Sequence, residues 1–140
     1  MRVEDWPERL AAALHAAGGK PYALGGKHGS QDCISFGSAC EKALLGASKM
    51  AVHVGMYESR FAAAKRLKEH GFDTLEQYMD SMFEPVGRYY ASRGDFAVFE
   101  NDNADPCIGV VLGETVAFVS EDGGLAELSL EQIVKTWRVE

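Results

Sequence analysis

No apolar run in this chain approaches the roughly 20 residues that a helix needs to cross a bilayer. The N-terminus also lacks a basic stretch followed by an apolar one. Residues 1–14 are amphipathic with early acids, which is not the pattern of a secretory signal. These absences point to synthesis in the cytoplasm and to no direct membrane insertion. Lysine and arginine form no cluster, and the formal net charge is −7. Phosphate contacts need clustered cations, so nucleic acid and anionic membrane surfaces are poor partners. Cysteine is scarce: Cys33, Cys40 and Cys107 make an odd set with no secretory signal, which is not a disulfide framework. Cys33 and Cys40 stand on one predicted helix about 10 Å apart along its axis. A bridge requires Cα atoms within ~7 Å. Cys-x-x-Cys and His pairs at ligand spacing are missing, so neither a structural metal nor a cofactor is expected.

What is present suits one domain over residues 1–140, long enough to bury a core without disulfides or metals. Apolar residues are 46% and charged residues 25% of the chain, ordinary for a globular protein. Asp5-Trp6-Pro7-Glu8 reads as a capped helix start, and Trp6, Leu10, Ala13, Leu14 and Ala17 form an apolar stripe that Gly18-Gly19 ends. A glycine-rich loop over residues 20–31 follows. The spacing of Cys33, Phe36, Cys40 and Leu44 predicts a helix over 32–45, stopped by Gly46. Residues 59–70 and 74–83 read as two more helices, the second opened by a Thr74-x-x-Gln77 box, with Pro85 breaking the pattern. The last third is different. Residues 96–99, 108–112, 115–119 and 125–128 read as strands joined by glycine turns, and Ser129-x-x-Gln132 reads as the cap of a final helix carrying Ile133 and Trp137. Helices first and an antiparallel sheet after is an α+β order.

One place suggests reactivity. A helix N-terminus carries partial positive charge and free N–H groups, so a cysteine in the first turn has its thiolate favoured. Asp32-Cys33 stands there, after a loop whose glycines let backbone approach a substrate. On these physics alone Cys33 reads more readily as a small inert member of the Phe36/Cys40 stripe. Gly25-Gly26-Lys27-His28-Gly29-Ser30 lacks phosphate-loop spacing and is expected to be a flexible loop. Asp102, Asp105, Glu121 and Asp122 have no EF-hand spacing and read as solvated turns. Met79, Met82, Tyr89 and Tyr90 read as core or as subunit contacts.

Pro21-Tyr22, Gly25, Asp32-Cys33 and Phe36, in that order, resemble the opening signature of NlpC-type papain-like cysteine peptidases. Arg93-Gly94-Asp95-Phe96-Ala97-Val98-Phe99 resembles that family's Gly-Asp strand. Cys107-Ile108-Gly109-Val110-Val111-Leu112-Gly113 resembles the strand that usually opens with histidine. The likeness runs from Trp6 to Trp137 and is nearest to a small branch encoded in phage and prophage tail gene clusters. It implies a papain-like fold, with N-terminal helices packed on a C-terminal antiparallel sheet or small barrel.

In the active family a cysteine attacks an amide of the cell-wall peptide, a strand histidine is its base, and a polar residue on the next strand orients that histidine. Carried over, Asp32-Cys33 matches the nucleophile motif, Cys107 stands at the base position, and Val119 or Ser120 falls where the orienter belongs. Loss of the base forfeits about 10²–10⁴-fold in rate. His28, just before Cys33, and His53, in the segment after the second helix, are the histidines that could substitute. Cys107 near Cys33 could also make a redox pair. The resemblance therefore implies a structural or assembly component of a phage tail tip or baseplate with a degenerate peptidase-like domain. It would be located in the virion tail, with other tail hub or baseplate proteins as partners and peptidoglycan as a further one. The alternative is an active cysteine hydrolase that cleaves peptidoglycan peptide bonds during host entry. A soluble immunity- or toxin-like enzyme is a third, more distant reading.

Overall fold

Four helices precede a six-stranded antiparallel sheet in a computed structural model that describes residues 1–27 and 29–140. Helix α1 (Trp6–Gly18) starts with Pro7 in its first turn and buries Leu10 and Ala17. Asp5 does not cap it. Its carboxylate instead pairs with Arg9 one turn on, at 2.8 Å. Helix α2 (Cys33–Leu45) opens on a full capping box: the Ser35 N–H donates to Asp32 Oδ1, and the Asp32 N–H donates to Ser35 Oγ, both at 2.9 Å. Gly46 closes the helix at φ 85°, a left-handed conformation suited to glycine. Helix α3 (Arg60–Glu69) is capped by Ser59 and buries no residue, so it lies on the surface. Helix α4 (Leu75–Met82) is capped by Thr74 and buries Leu75, Tyr78 and Met79; Gln77 accepts from the Asp73 N–H rather than closing a box on Thr74.

The sheet runs β1–β6–β2–β3–β4–β5, formed by β1 (Glu84–Val86), β2 (Phe96–Glu100), β3 (Pro106–Val111), β4 (Thr115–Val119), β5 (Leu125–Ser129) and β6 (Lys135–Arg138). The end strands β1 and β5 are not paired with each other, so this is an open sheet rather than a closed barrel. Two elements depart from the sequence expectation. Pro85 sits in β1, at the sheet edge, where its missing N–H costs no ladder bond. The expected final helix is a single 3-10 turn (Leu130–Gln132) followed by β6, which pairs with both β1 and β2. The Ser129 side chain does cap that turn, accepting the Glu131 N–H at 3.3 Å. The strand wins because Trp137 and Val139, two residues apart, are both fully buried, and the Trp137 indole N–H reaches Asp80 at 2.8 Å.

Phe36, Cys40 and Leu44 of α2 pack with Leu10 of α1 against Phe96, Val98, Ile108 and Val110 on one sheet face. Ala97, Val111, Val116 and Ile133 form a smaller cluster elsewhere in the sheet region. This packing seats the first turn of α2 against β3, the two elements that carry Cys33 and Cys107. Among the described residues no helix is long and apolar enough to cross a membrane.

Candidate active site: a thiol pair beneath a buried aspartate

Asp32 organises the N-terminal end of α2. It is 2% exposed, and its second carboxylate oxygen accepts the Gly25 N–H at 2.9 Å and the Tyr57 hydroxyl. The bonds of Asp32 thus tie together the glycine-rich loop, the helix start and the segment after α2. Gly25 has φ 89°, and a Cβ there would collide with the Tyr57 carbonyl oxygen, so the closure requires glycine. The base of the loop is pinned as well: Gln31 is buried, and its side-chain amide donates to the Ala17 carbonyl at 2.8 Å. The loop is therefore anchored at its root. Burial, followed by the adjacent Asp32 charge, holds the Tyr57 phenol far above its ordinary range.

Cys33 is the first helical residue, half-buried, and its thiol meets that of Cys107 on β3. The Ile108 backbone N–H also points at the Cys33 sulfur. Cys107 is half-buried and receives the Asn101 side-chain amide at 3.6 Å. Its own thiol lies 3.8 Å from the Asp105 carbonyl. Asn101 is fixed by a turn in which its Oδ1 accepts the N–H groups of Asn103 and Asp105 at 2.9 and 3.0 Å. The two thiols titrate as a unit. The Cys107 thiol, together with burial, pushes Cys33 well above the ordinary thiol range. Cys107 is pulled down, first by the hydrogen bond from Cys33. Asp32 explains why the helix N-terminus does not reverse this order. Its carboxylate already occupies the positive end of α2, and its charge opposes a thiolate on the next residue.

Cys33 and Cys107 both line a cleft of about 730 Å³ that is also lined by Tyr22, His53, Arg60 and Phe118. Burial and then Glu121 push the Tyr22 phenol up to about 12. Across the rim, Arg60 pairs with Asp105 at 2.5 Å and Glu121 at 2.8 Å. Two of the four carboxylates that read from sequence as solvated turns, Asp105 and Glu121, are thus matched by a guanidinium. Among the described residues no group of three or more His, Cys, Asp or Glu side chains is placed to hold a metal ion.

The structure brings Asp32, Cys33 and Cys107 together. His53 lines the same cleft but is engaged elsewhere: its Nδ1 accepts from Arg66 at 2.9 Å, and its ring packs edge-on against His70 and Tyr78. Burial, Arg66 and His70 lower its pKa. His28 lies outside the described residues. Among the described residues no imidazole hydrogen-bonds either sulfur. Val119 is buried in β4, and the Ser120 hydroxyl accepts the Asp122 N–H at 3.1 Å, so neither presents an orienting group to a base. Tyr57, Asn101 and Arg60 were not singled out from sequence. Asn101 alone carried a local signal, an asparagine opening a turn. The partners of Tyr57 and Arg60 are remote in the chain.

The fold is that of the NlpC/p60 papain-like domains. The crystal structure of the NlpC/p60 domain of the peptidoglycan hydrolase SagA superposes with a TM-score of 0.55 at 15% sequence identity, covering 94% of this chain and 97% of that one. No curated protein matches the chain. Residues 1–139 match the family described as domain of unknown function DUF6950, and the chain belongs to that family.

Proposed function

We propose that this chain is a component of a bacteriophage or phage-like tail tip or baseplate, in which a peptidase-like domain serves assembly and not hydrolysis. The observation that supports the loss of hydrolysis is that Cys33 meets Cys107, the residue that the motif resemblance aligns with the family's histidine base. A thiol cannot take over the two-way proton transfer of a histidine at neutral pH, and a protonated Cys33 is a weak nucleophile. The tail setting is supported by the ordered motif set that resembles the phage branch. Tyr89, Tyr90 and Val134 are largely exposed, so the two tyrosines are not core residues. Together they offer apolar surface for contact with other hub or baseplate proteins.

Mass spectrometry of purified particles tests the setting: the chain should be present at a constant ratio to known tail proteins, and its absence would remove the structural role. Hydrolysis of peptidoglycan is the competing reading. It is favoured by the retained Cys33 at an open cleft and by a fold neighbour that is a peptidoglycan hydrolase. Purified protein incubated with peptidoglycan should release no new peptide fragments. Release that disappears in Cys33→Ala would establish the competing reading.

A further inference from the structure

We propose that Cys33 and Cys107 form a thiol–disulfide exchange pair, with Cys107 as the attacking sulfur, Cys33 as the resolving sulfur and a small-molecule disulfide such as oxidised glutathione as co-reactant. This inference rests on the geometry of the cleft and is independent of the tail setting.

Four features of the site converge on it. Cys33 and Cys107 stand where α2 packs on β3, and both residues line the same cleft of about 730 Å³. Cys107 has two donors able to stabilise a thiolate, the Cys33 S–H and the Asn101 amide, and Asn101 is held in place by its own turn. Cys33 is poorly placed to ionise first, because the Cys107 thiol and burial both hold its proton on and the Asp32 carboxylate next to it adds to this. The third cysteine, Cys40, is fully buried and does not compete. Exchange is fastest when the attacking thiol has its thiolate accessible near ambient pH, which assigns the first step to Cys107.

In that step the Cys107 proton leaves to solvent and the thiolate attacks one sulfur of RS–SR. An S–S bond forms to Cys107, the old S–S bond breaks, and RS⁻ departs with the electron pair. Cys33 then transfers its proton to that thiolate and attacks the Cys107 sulfur, expelling the second RS⁻, which takes a proton from solvent. The two protein thiols are oxidised to one disulfide, and one RS–SR is reduced to two RSH.

The test is incubation of the full chain with excess oxidised glutathione, acid quench, intact mass and peptide mapping. The wild-type protein should become lighter by two hydrogen atoms, with the Cys33 and Cys107 peptides joined and Cys40 free. Cys33→Ser should accumulate one glutathionyl group on Cys107 that does not resolve. Cys107→Ser should slow incorporation at Cys33 by at least about tenfold relative to the incorporation seen at Cys107. Serine keeps the size and the donor of each thiol, and circular dichroism checks that each variant is folded. If Cys107→Ser fails to fold, the wild-type cross-link and the Cys33→Ser adduct still decide the matter. No reaction at either residue, a wild-type adduct that persists without closure, or an adduct on Cys33 in preference to Cys107 would overturn the proposal. None of these results bears on presence in particles, so the two proposals fail separately.

Discussion

Helix α2 meets two unlike environments along its length. At its first turn Cys33 is half-buried, faces a second thiol and borders an open cleft. Two turns further, Cys40 is fully enclosed by the core, and burial alone pushes its thiol up to about 12. Beside it Glu41 is 1% exposed and is satisfied by the Ser48 hydroxyl at 2.8 Å and the Met50 N–H at 3.2 Å. The same side chain on the same helix is thus inert in one place and poised in the other. The difference comes from what faces it, since the helix itself is common to both.

The largest expected effect is on accessibility. Native-state alkylation should modify Cys107 at least ~10³-fold faster than Cys40, because reaching Cys40 requires an opening that approaches global unfolding. Site-resolved mass spectrometry over time measures this ratio, and comparable rates would erase the distinction between the two environments. Next comes stability. Asp32→Ala strips the acceptor from the Gly25 and Ser35 N–H groups and the Tyr57 hydroxyl, and should cost about 3 kcal/mol in urea unfolding. Glu41→Gln keeps an acceptor oxygen and should cost about 1 kcal/mol. A reversed order would mean that the sealed face, not the cleft end, anchors the helix.

A smaller effect follows from pH. The folded pKa of His53 lies below its ordinary value of 6.5, so the protonated form is disfavoured in the native state. The corresponding stability is present above 6.5 and is lost as pH falls through the folded value. With solvent screening the loss should be small. His53→Gln should flatten that part of the stability profile, as read by thermal unfolding across acidic buffers. The smallest effect is expected at the rim. Arg60→Ala removes two exposed ion pairs and should leave stability unchanged within error, while modestly lowering the alkylation rate of Cys107 at low salt, because the unmasked Asp105 and Glu121 charges disfavour its thiolate. A marked loss of stability would show that the rim is part of the core scaffold.

Much of the fold was legible because its signals are local. The helix over 32–45 with its stripe of Phe36, Cys40 and Leu44, and the strands β2 to β5, follow from spacing and turn residues. Strand β6 was not legible, because Ser129-x-x-Gln132 is a sound helix opening and only the pairing of 135–138 between β1 and β2 overrides it. In the site, the place of Cys33 at a helix start could be read directly. Its meeting with Cys107 came from motif order and not from any local property. The Asp32–Tyr57 bond joins residues 25 positions apart and left no trace in the pattern. Asp95 read only as part of a strand motif, yet it is fully buried and clamps the N-terminus through Arg2 at 2.9 Å. Such long-range polar bonds depend on tertiary geometry that periodicity does not encode.

The most direct test of the thiol pair is a site-resolved iodoacetamide rate profile against pH on the native protein. The account predicts that Cys107 is alkylated first, with half-maximal rate below the ordinary thiol value of about 8.5, while Cys33 responds only at higher pH. Cys33 alkylated fastest, with its midpoint shifted below that value, would contradict it and would indicate an imidazole paired to the nucleophile after all.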